Sequence, residues 1–220
     1  MNIFDILGPV MVGPSSSHTA GAVRIGLIAR KLLGEPPVSA KLLLSGSFAA
    51  TGSGHGTDRA LVAGLLGMQP DDIRVPDSFH LAEEQGLSFS FDTINLKDAH
   101  PNTAILRVIG ESGNALDVQA SSLGGGRIMV NKLDGMEVNF TAESPTLIVH
   151  NIDKPGHVAE VTSMLSDTAV NIATMQLYRN RRGEDAVMII ETDQEIPKRS
   201  LQWLSCQEGI LKVTYLNKAE

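Results

Sequence analysis

The strongest constraint on the fold is a restart of the secondary-structure pattern close to residue 145. A short polar segment with a proline, TAESP, covers residues 141–145 and is typical of a linker. After it, strand and helix patterns follow in the order βαββαβ over about 75 residues, a length typical of a small domain. The sequence therefore predicts two domains, one over residues 1–142 and one over residues 146–220.

The first predicted domain has its helices early and its strands late. Residues 20–33 carry apolar side chains at helical spacing and end before Gly34, and residues 57–66 carry a second such pattern. An apolar run at residues 39–47 predicts a buried strand, and a glycine-rich loop, AATGSGHGTD, follows it. Alternating apolar and polar residues predict further strands at residues 87–96, 103–109, 115–121, 127–132 and 136–140. These patterns predict an α+β domain with an antiparallel sheet.

Composition and charge exclude several kinds of function. The net charge of −7 and the lack of a basic block argue against a phosphate-backbone binder, so we expect no nucleic-acid partner. No apolar run approaches the ~20 residues of a membrane span, and the N-terminus lacks the pattern of a signal peptide. Cys206 is the single cysteine, which excludes a disulfide within the chain, so we expect a cytoplasmic protein without a membrane partner. One cysteine also falls short of the three or four thiolates that normally hold an iron–sulfur cluster.

A run of small polar residues, GPSSSHT, comes directly before the first helical pattern. Its donors are Ser15, Ser16, Ser17, His18 and Thr19. Helix starts have free N–H groups and the positive end of the helix dipole, so this run predicts an anion or carboxylate site. Helix capping after a Gly-Pro turn explains one or two of these residues equally well, and the two roles are compatible.

Two histidines are candidates for acid–base chemistry. His55 is flanked by glycines at a predicted strand–loop–helix junction, and a neutral imidazole near pH 7 suits a general base. The alternative is an ordinary exposed loop histidine. His100 precedes Pro101 in a loop, where structural hydrogen bonding is an equal alternative. We expect Asp58 to cap the following helix or to orient His55, and no pair of histidines has the spacing of a metal site.

The second predicted domain, with NIDKPG after its first strand and Val170-Asn171-Ile172 opening its second, resembles an ACT domain. Members of this ferredoxin-like family bind amino acids between paired copies. The resemblance implies self-association and a site for L-serine or another small amino acid formed by Asn151, Asp153, Gly156 and Asn171. Asp153 would repel a carboxylate and attract an amino group, which leaves the orientation of the ligand open. A purely structural domain used for dimerisation is the alternative.

Three motifs in the first predicted domain, GPSSSHTAGA, SGSFAATGSGHGTDRA and AHPNT, together resemble the β subunit of iron–sulfur-dependent L-serine dehydratase. The same domain is similar to the allosteric substrate-binding domain of some phosphoglycerate dehydrogenases, which is an anion-binding fold. The first resemblance covers nearly the whole chain and implies conversion of L-serine to pyruvate and ammonia.

That resemblance also implies a division of labour between two subunits. A [4Fe–4S] cluster would be held by cysteines of a partner α subunit, so this chain would be inactive alone. His55 and His100 would be catalytic, and the residues from Ser15 to Thr19 would contact substrate at the subunit interface. The alternative is a non-catalytic sensor in which an anion-binding domain is joined to an ACT domain.

Overall fold

The computed structural model describes residues 10–52, 54–179 and 181–217. The chain divides into two compact units, with the boundary between Thr141 and Ala142. The first unit contains a six-stranded sheet and the second a four-stranded sheet. Helices accompany both sheets, so the predicted α+β class is confirmed. No helix in the described part of the chain is both long and apolar enough to span a membrane.

The helices of the first unit all precede its second strand in the chain, which agrees with the predicted order of early helices and late strands. A single π-helical turn, Ser16–Gly21, continues directly into the first α-helix. A 3-10 turn, Val75–Asp77, precedes the last helix of the unit. The α-helices are α1 (Ala22–Leu33), α2 (Gly46–Thr51), α3 (Thr57–Leu65) and α4 (Ser78–Glu84).

The six strands of the first unit form one mixed sheet in the order β2-β1-β3-β4-β5-β6. They are β1 (Pro37–Ser45), β2 (Ser88–Thr93), β3 (Asn102–Gly110), β4 (Ala115–Gly124), β5 (Arg127–Leu133) and β6 (Met136–Phe140). The predicted antiparallel pairing holds for all neighbouring strands but one, since β2 pairs with β1 in parallel at one edge. The reason is that α2, α3 and α4 lie between these two strands in the chain and form the long crossover that parallel pairing requires.

Helices α1 and α3 pack with their backbones in direct contact. A Cβ atom added at Gly64 would lie 2.1 Å from the carbonyl oxygen of Val23 and 2.8 Å from the Cα atom of Gly26. The guanidinium of Arg30 donates a hydrogen bond of 2.9 Å to the carbonyl of Leu65 at the end of α3. This close packing fixes the helix that follows the serine-rich motif (residues 15–19) against the helix that follows His55.

One end of the large sheet collects the loops that carry the candidate residues. β1 and β4 both run antiparallel to β3, so the end of β1, the start of β3 and the end of β4 lie together. Ser45 pairs with Thr103, and Thr103 pairs with Ser121 across these three strands. The N-terminus of α2 follows β1 directly at this end.

The second unit has the predicted βαββαβ order. Its elements are β7 (Thr146–Ile152), α5 (His157–Asp167), β8 (Ile172–Arg179), β9 (Asp185–Thr192), α6 (Lys198–Ser205) and β10 (Ile210–Leu216). The sheet order is β10-β7-β9-β8, and all neighbouring strands are antiparallel. Its core joins alternate residues of the central strands, such as Val149 and Met188, to Leu165 of α5 and Leu204 of α6.

Candidate functional site

The serine-rich motif forms the first turn of a helix. Ser15 is the N-cap, and its hydroxyl oxygen accepts a hydrogen bond of 3.1 Å from the backbone N–H of His18. The backbone is helical from Ser16, four residues earlier than the predicted start at residue 20. The capping role is therefore confirmed for Ser15, and it leaves the side chains of the following residues available for other contacts.

The glycine-rich segment after β1 contains a helix that sequence reasoning missed. β1 ends at Ser45 rather than at residue 47, and α2 begins at Gly46. Gly46 has a φ of +55°, and a Cβ atom there would lie 2.5 Å from the carbonyl oxygen of Pro101. The same carbonyl accepts a hydrogen bond of 2.7 Å from the N–H of Ser47. Only glycine suits this turn, which ties the loop of His100 to the start of α2.

His18 is the centre of the site. Its Nε2 atom lies 3.1 Å from the hydroxyl of Ser47 and 3.1 Å from the hydroxyl of Thr51. Its Nδ1 atom lies 3.4 Å from the hydroxyl of Ser15. Its ring and the buried ring of Phe48 pack edge-to-face at a centroid distance of 5.4 Å. Three hydroxyls and an aromatic ring therefore surround this imidazole.

His55 lies directly beside His18. The centroids of the two imidazole rings are 5.1 Å apart. His55 is exposed, and within the described residues no hydrogen bond engages its ring. Burial lowers the pKa of His18 below its ordinary value of 6.5, the neighbouring His55 lowers it further, and a hydrogen bond to the backbone of Ser47 opposes both effects. The pair thus combines an anchored imidazole with an accessible one.

The other residues of the serine-rich motif have different surroundings. The hydroxyl of Ser16 accepts a hydrogen bond of 3.4 Å from the N–H of Gly125, in the turn between β4 and β5. Arg24 donates a hydrogen bond of 3.0 Å to the carbonyl of Gly126 in the same turn. Ser17 is half-buried beside this turn. Thr19 is only 3% exposed, so it lies in the interior rather than with the accessible residues of the motif.

His100 and Asp58 have local structural roles in this structure. The exposed His100 accepts a hydrogen bond of 3.1 Å at Nδ1 from the backbone N–H of Asn102, and its carbonyl accepts one of 2.6 Å from the hydroxyl of Thr103. The prediction that Asp58 caps α3 is wrong. The N-cap is Gly56, and Asp58 instead accepts a hydrogen bond of 2.8 Å from the N–H of Arg59.

In the second unit, three of the four predicted ligand residues lie at one end of the sheet. Asn151 is 3% exposed, its amide donates to the carbonyl of Ile152, and its Oδ1 atom is buried without a partner among the described residues. Gly156 is the N-cap of α5. The backbone N–H of Gly183 and the guanidinium of Arg179, at 3.0 Å and 2.9 Å, hold the pKa of the Asp153 carboxyl below its ordinary value.

Asn171 lies at the opposite end of the same sheet. It precedes β8, whose first residue pairs with Thr192, whereas Asn151 pairs with Ala186 at the other end of β9. At about 3.3 Å per residue, the ends of such a strand are about 20 Å apart. The side-chain amide of Asn171 donates a hydrogen bond of 2.6 Å to Asp193. A single copy of the chain therefore does not bring the four residues together.

The chain does not offer the ligands of an iron–sulfur cluster. Its single cysteine, Cys206, is exposed at the end of α6. Over the described ranges, no group of three or more His, Cys, Asp or Glu residues has an arrangement suited to a metal ion. Cluster ligation normally takes three or four thiolates, so this chain's donor set does not fit the group.

The family match and two relatives of 38–40% identity have the same description. Residues 2–133 match the family described as serine dehydratase beta chain. The chain is 40% identical, over 97% of its own length and 96% of the relative's, to a probable L-serine dehydratase, beta chain, of Bacillus subtilis (strain 168). It is 38% identical, over 88% of its length and 87% of the relative's, to the L-serine dehydratase, beta chain, of Peptoniphilus asaccharolyticus.

More distant similarity extends to another enzyme class. The chain is 24% identical, over 79% of its length, to D-3-phosphoglycerate dehydrogenase of Mycobacterium tuberculosis (strain ATCC 25618 / H37Rv), and it matches 33% of that enzyme. A solved homoserine dehydrogenase from Thiobacillus denitrificans shares 13% identity over 52% of this chain and 33% of its own, with a TM-score of 0.28. The extent and identity of the beta-chain matches decide the assignment: the chain belongs to the serine dehydratase beta chain family.

Proposed function

We propose that this chain is the β subunit of a two-subunit L-serine dehydratase, which converts L-serine to pyruvate and ammonia. Beta-chain relatives at 38% and 40% identity support this function. The observation that carries it is the contact of His18 with His55 beside a serine-rich helix start, at a centroid distance of 5.1 Å. Acid–base groups next to free backbone donors suit a substrate with a carboxylate and an acidic proton.

The partner α subunit would hold the [4Fe–4S] cluster, because this chain has one cysteine. When bound there, the cluster supplies a Lewis acid for the β-hydroxyl group of serine. The residues of this chain would supply what remains, which is to bind the carboxylate and to accept a proton.

We assign binding of the substrate carboxylate to the first turn of the serine-rich helix. The N–H groups of Ser16 and Ser17 lie in that turn, where backbone donors lack intrahelical partners and the helix dipole favours an anion. The Ser17 hydroxyl is half-buried in the same turn. These donors would orient the substrate without placing a cation in the site.

His55 is the residue that we assign to proton transfer. Its ring is exposed, while that of His18 is held by Ser47 and Thr51. We therefore assign His55 as the acceptor of the α-proton and His18 as its anchored neighbour. His100 would stabilise the conformation of its loop, because its Nδ1 atom already accepts a hydrogen bond from the backbone N–H of Asn102.

Reconstitution tests this proposal. The purified chain is mixed anaerobically with the cluster-bearing α chain of the same enzyme, and pyruvate formation from L-serine is measured for the mixture and for each chain alone. We expect turnover from the mixture and none from this chain alone. Full turnover by the α chain alone, or a β chain that binds serine without ever associating with an iron–sulfur protein, would favour the sensor alternative.

We also propose that the second unit is an ACT domain that binds a small amino acid between two copies of the chain. Support comes from its βαββαβ order and from the buried Oδ1 atom of Asn151 near the end of β7, which has no hydrogen-bond partner among the residues that the structure describes. Because Asp153 is paired with Arg179, we assign it to shaping the loop rather than to direct ligand contact. A cytoplasmic location stays a prediction of the single cysteine.

Equilibrium dialysis with L-serine tests the ACT proposal. Wild-type chain should bind serine, and Asn151→Ala should bind about tenfold more weakly, which corresponds to about 1.4 kcal/mol. Asn114→Ala, in the first unit, is the matched control and should bind as wild type does. Absence of serine binding by the wild-type chain would leave the unit with a structural role in dimerisation.

A further inference from the structure

The hydroxyls around His18 bear on which of its ring nitrogens carries the proton. The hydroxyl of Thr51 has one hydrogen and two close neighbours. It lies 2.9 Å from the carbonyl oxygen of Ser47 and 3.1 Å from the Nε2 atom of His18. A carbonyl only accepts, so the Thr51 hydroxyl donates its hydrogen to Ser47. Its oxygen is left to accept, which favours a hydrogen on Nε2 of His18. The Ser47 hydroxyl, also 3.1 Å from Nε2, can accept from the same hydrogen.

The other ring nitrogen has the complementary environment. A neutral imidazole has one N–H, so Nδ1 of His18 then carries the lone pair. The hydroxyl of Ser15 lies 3.4 Å from Nδ1, and its oxygen already accepts the backbone N–H of His18 at 3.1 Å. The hydrogen of the Ser15 hydroxyl is thus available to Nδ1. Burial and the neighbouring His55 lower the pKa of His18, which favours the neutral ring that this arrangement needs.

We propose that Thr51 is a positioning residue that locks His18 in the neutral Nε2–H tautomer, with its lone pair on Nδ1 beside Ser15. This inference rests on the proposed function for its effect on turnover. In this tautomer Nε2 is a hydrogen-bond donor, so that atom cannot accept a proton. It also leaves an uncharged ring beside His55, which therefore gains a proton without repulsion from a second imidazolium.

Sequence reasoning misses Thr51 because the glycine-rich segment that forms α2 has the composition of a loop. Ser47 and Thr51 are four residues apart, so in a helix they lie on one face, where both reach the same side of His18. The bond from the Thr51 hydroxyl to the carbonyl four residues earlier is the ordinary back-bond of a helical threonine. The helix therefore fixes the direction of this hydroxyl before any substrate is present.

The tautomer is measured by ¹⁵N NMR on the full chain labelled at histidine. His18→Asn identifies the resonances of His18. In the wild type, Nε2 should resonate in the protonated range and Nδ1 in the unprotonated range. Thr51→Ser keeps the hydroxyl and should preserve this pattern, whereas Thr51→Val removes it and should shift the population towards the Nδ1–H form. A wild-type Nδ1–H tautomer, or an unchanged tautomer in Thr51→Val, would overturn the proposal.

The reconstituted enzyme provides the second readout. Thr51→Val should lower kcat about tenfold with little change in KM, and Thr51→Ser should restore most of it. Full kcat in Thr51→Val alongside a changed tautomer would overturn the positioning role. If the wild-type chain and the α chain form no pyruvate together, the proposed function fails. The NMR measurement would still decide whether Thr51 sets the tautomer of His18.

Discussion

At the scale of single residues, the site is the contact between the imidazoles of His18 and His55, 5.1 Å apart at their centroids. His55 stood out because glycines flank it, and the structure places it beside His18. The motif pointed to His18 only as one of several helix-start donors. Its central place depends on hydroxyls from Ser47 and Thr51, about 30 residues away in the chain. The sequence around His18 does not indicate this contact. It arises because the helix that starts at Ser16 and the helix that starts at Gly46 meet at one end of a sheet.

The pH dependence of His18 is the prediction at this scale. Its folded pKa lies below the ordinary 6.5, so between the two values the unfolded chain binds more protons than the folded chain. This residue therefore lowers the free energy of unfolding as the pH falls below about 6.5, and has no effect on it well above that value. The Cε1 proton of His18, assigned with His18→Asn, should titrate with a midpoint below 6.5. A midpoint at or above 6.5 would contradict this account of its burial.

At the scale of helices and strands, most of the pattern was predictable. The long helix α1, the alternating strands β3 to β6 and the whole order of the second unit follow from periodicity. α2 was missed because Gly46, Gly52, Gly54 and Gly56 in one stretch are typical of a loop. The parallel pairing of β2 was also missed. Alternation predicts a strand but not its neighbour, which the crossover decides.

The backbone contact between α1 and α3 gives a prediction at this scale. Gly64→Ala places a Cβ atom 2.1 Å from the carbonyl oxygen of Val23, so the two helices must move apart. We expect it to lower the free energy of unfolding by about 1–3 kcal/mol, as overpacking of a tight core does. Urea unfolding followed by circular dichroism measures this loss.

Gly54→Ala is the matched control for that substitution. A Cβ atom at Gly54 would lie 3.6 Å from the carbonyl oxygen of Thr51, which is ordinary contact. Its effect should stay within about 0.5 kcal/mol, as for other surface substitutions. Equal stability of the two variants would show that the helices tolerate separation at Gly64.

At the scale of the whole molecule, the chain is two compact units. The first contains the histidine pair and the serine-rich helix start, and the second contains a four-stranded sheet with two helices. A resemblance across three motifs pointed to the family, and the matches over nearly the full chain confirm it. The residues of the site were only partly predictable from the sequence, so mutagenesis must test them separately from the family assignment. Under the proposed function, a partner subunit would complete the site and would supply the cluster ligands, because this chain has a single cysteine.

The central claim is that this chain contributes a reacting group to the active site of the two-subunit enzyme. The most direct test is kcat for pyruvate formation from L-serine after reconstitution of His55→Ala with the α chain. His80→Ala is the matched control, since His80 is an exposed histidine on α4 of the same unit. We predict that His55→Ala loses at least about 100-fold in kcat, the usual contribution of a general base, with its circular dichroism unchanged. His80→Ala should retain full turnover, and full turnover by His55→Ala would contradict the claim.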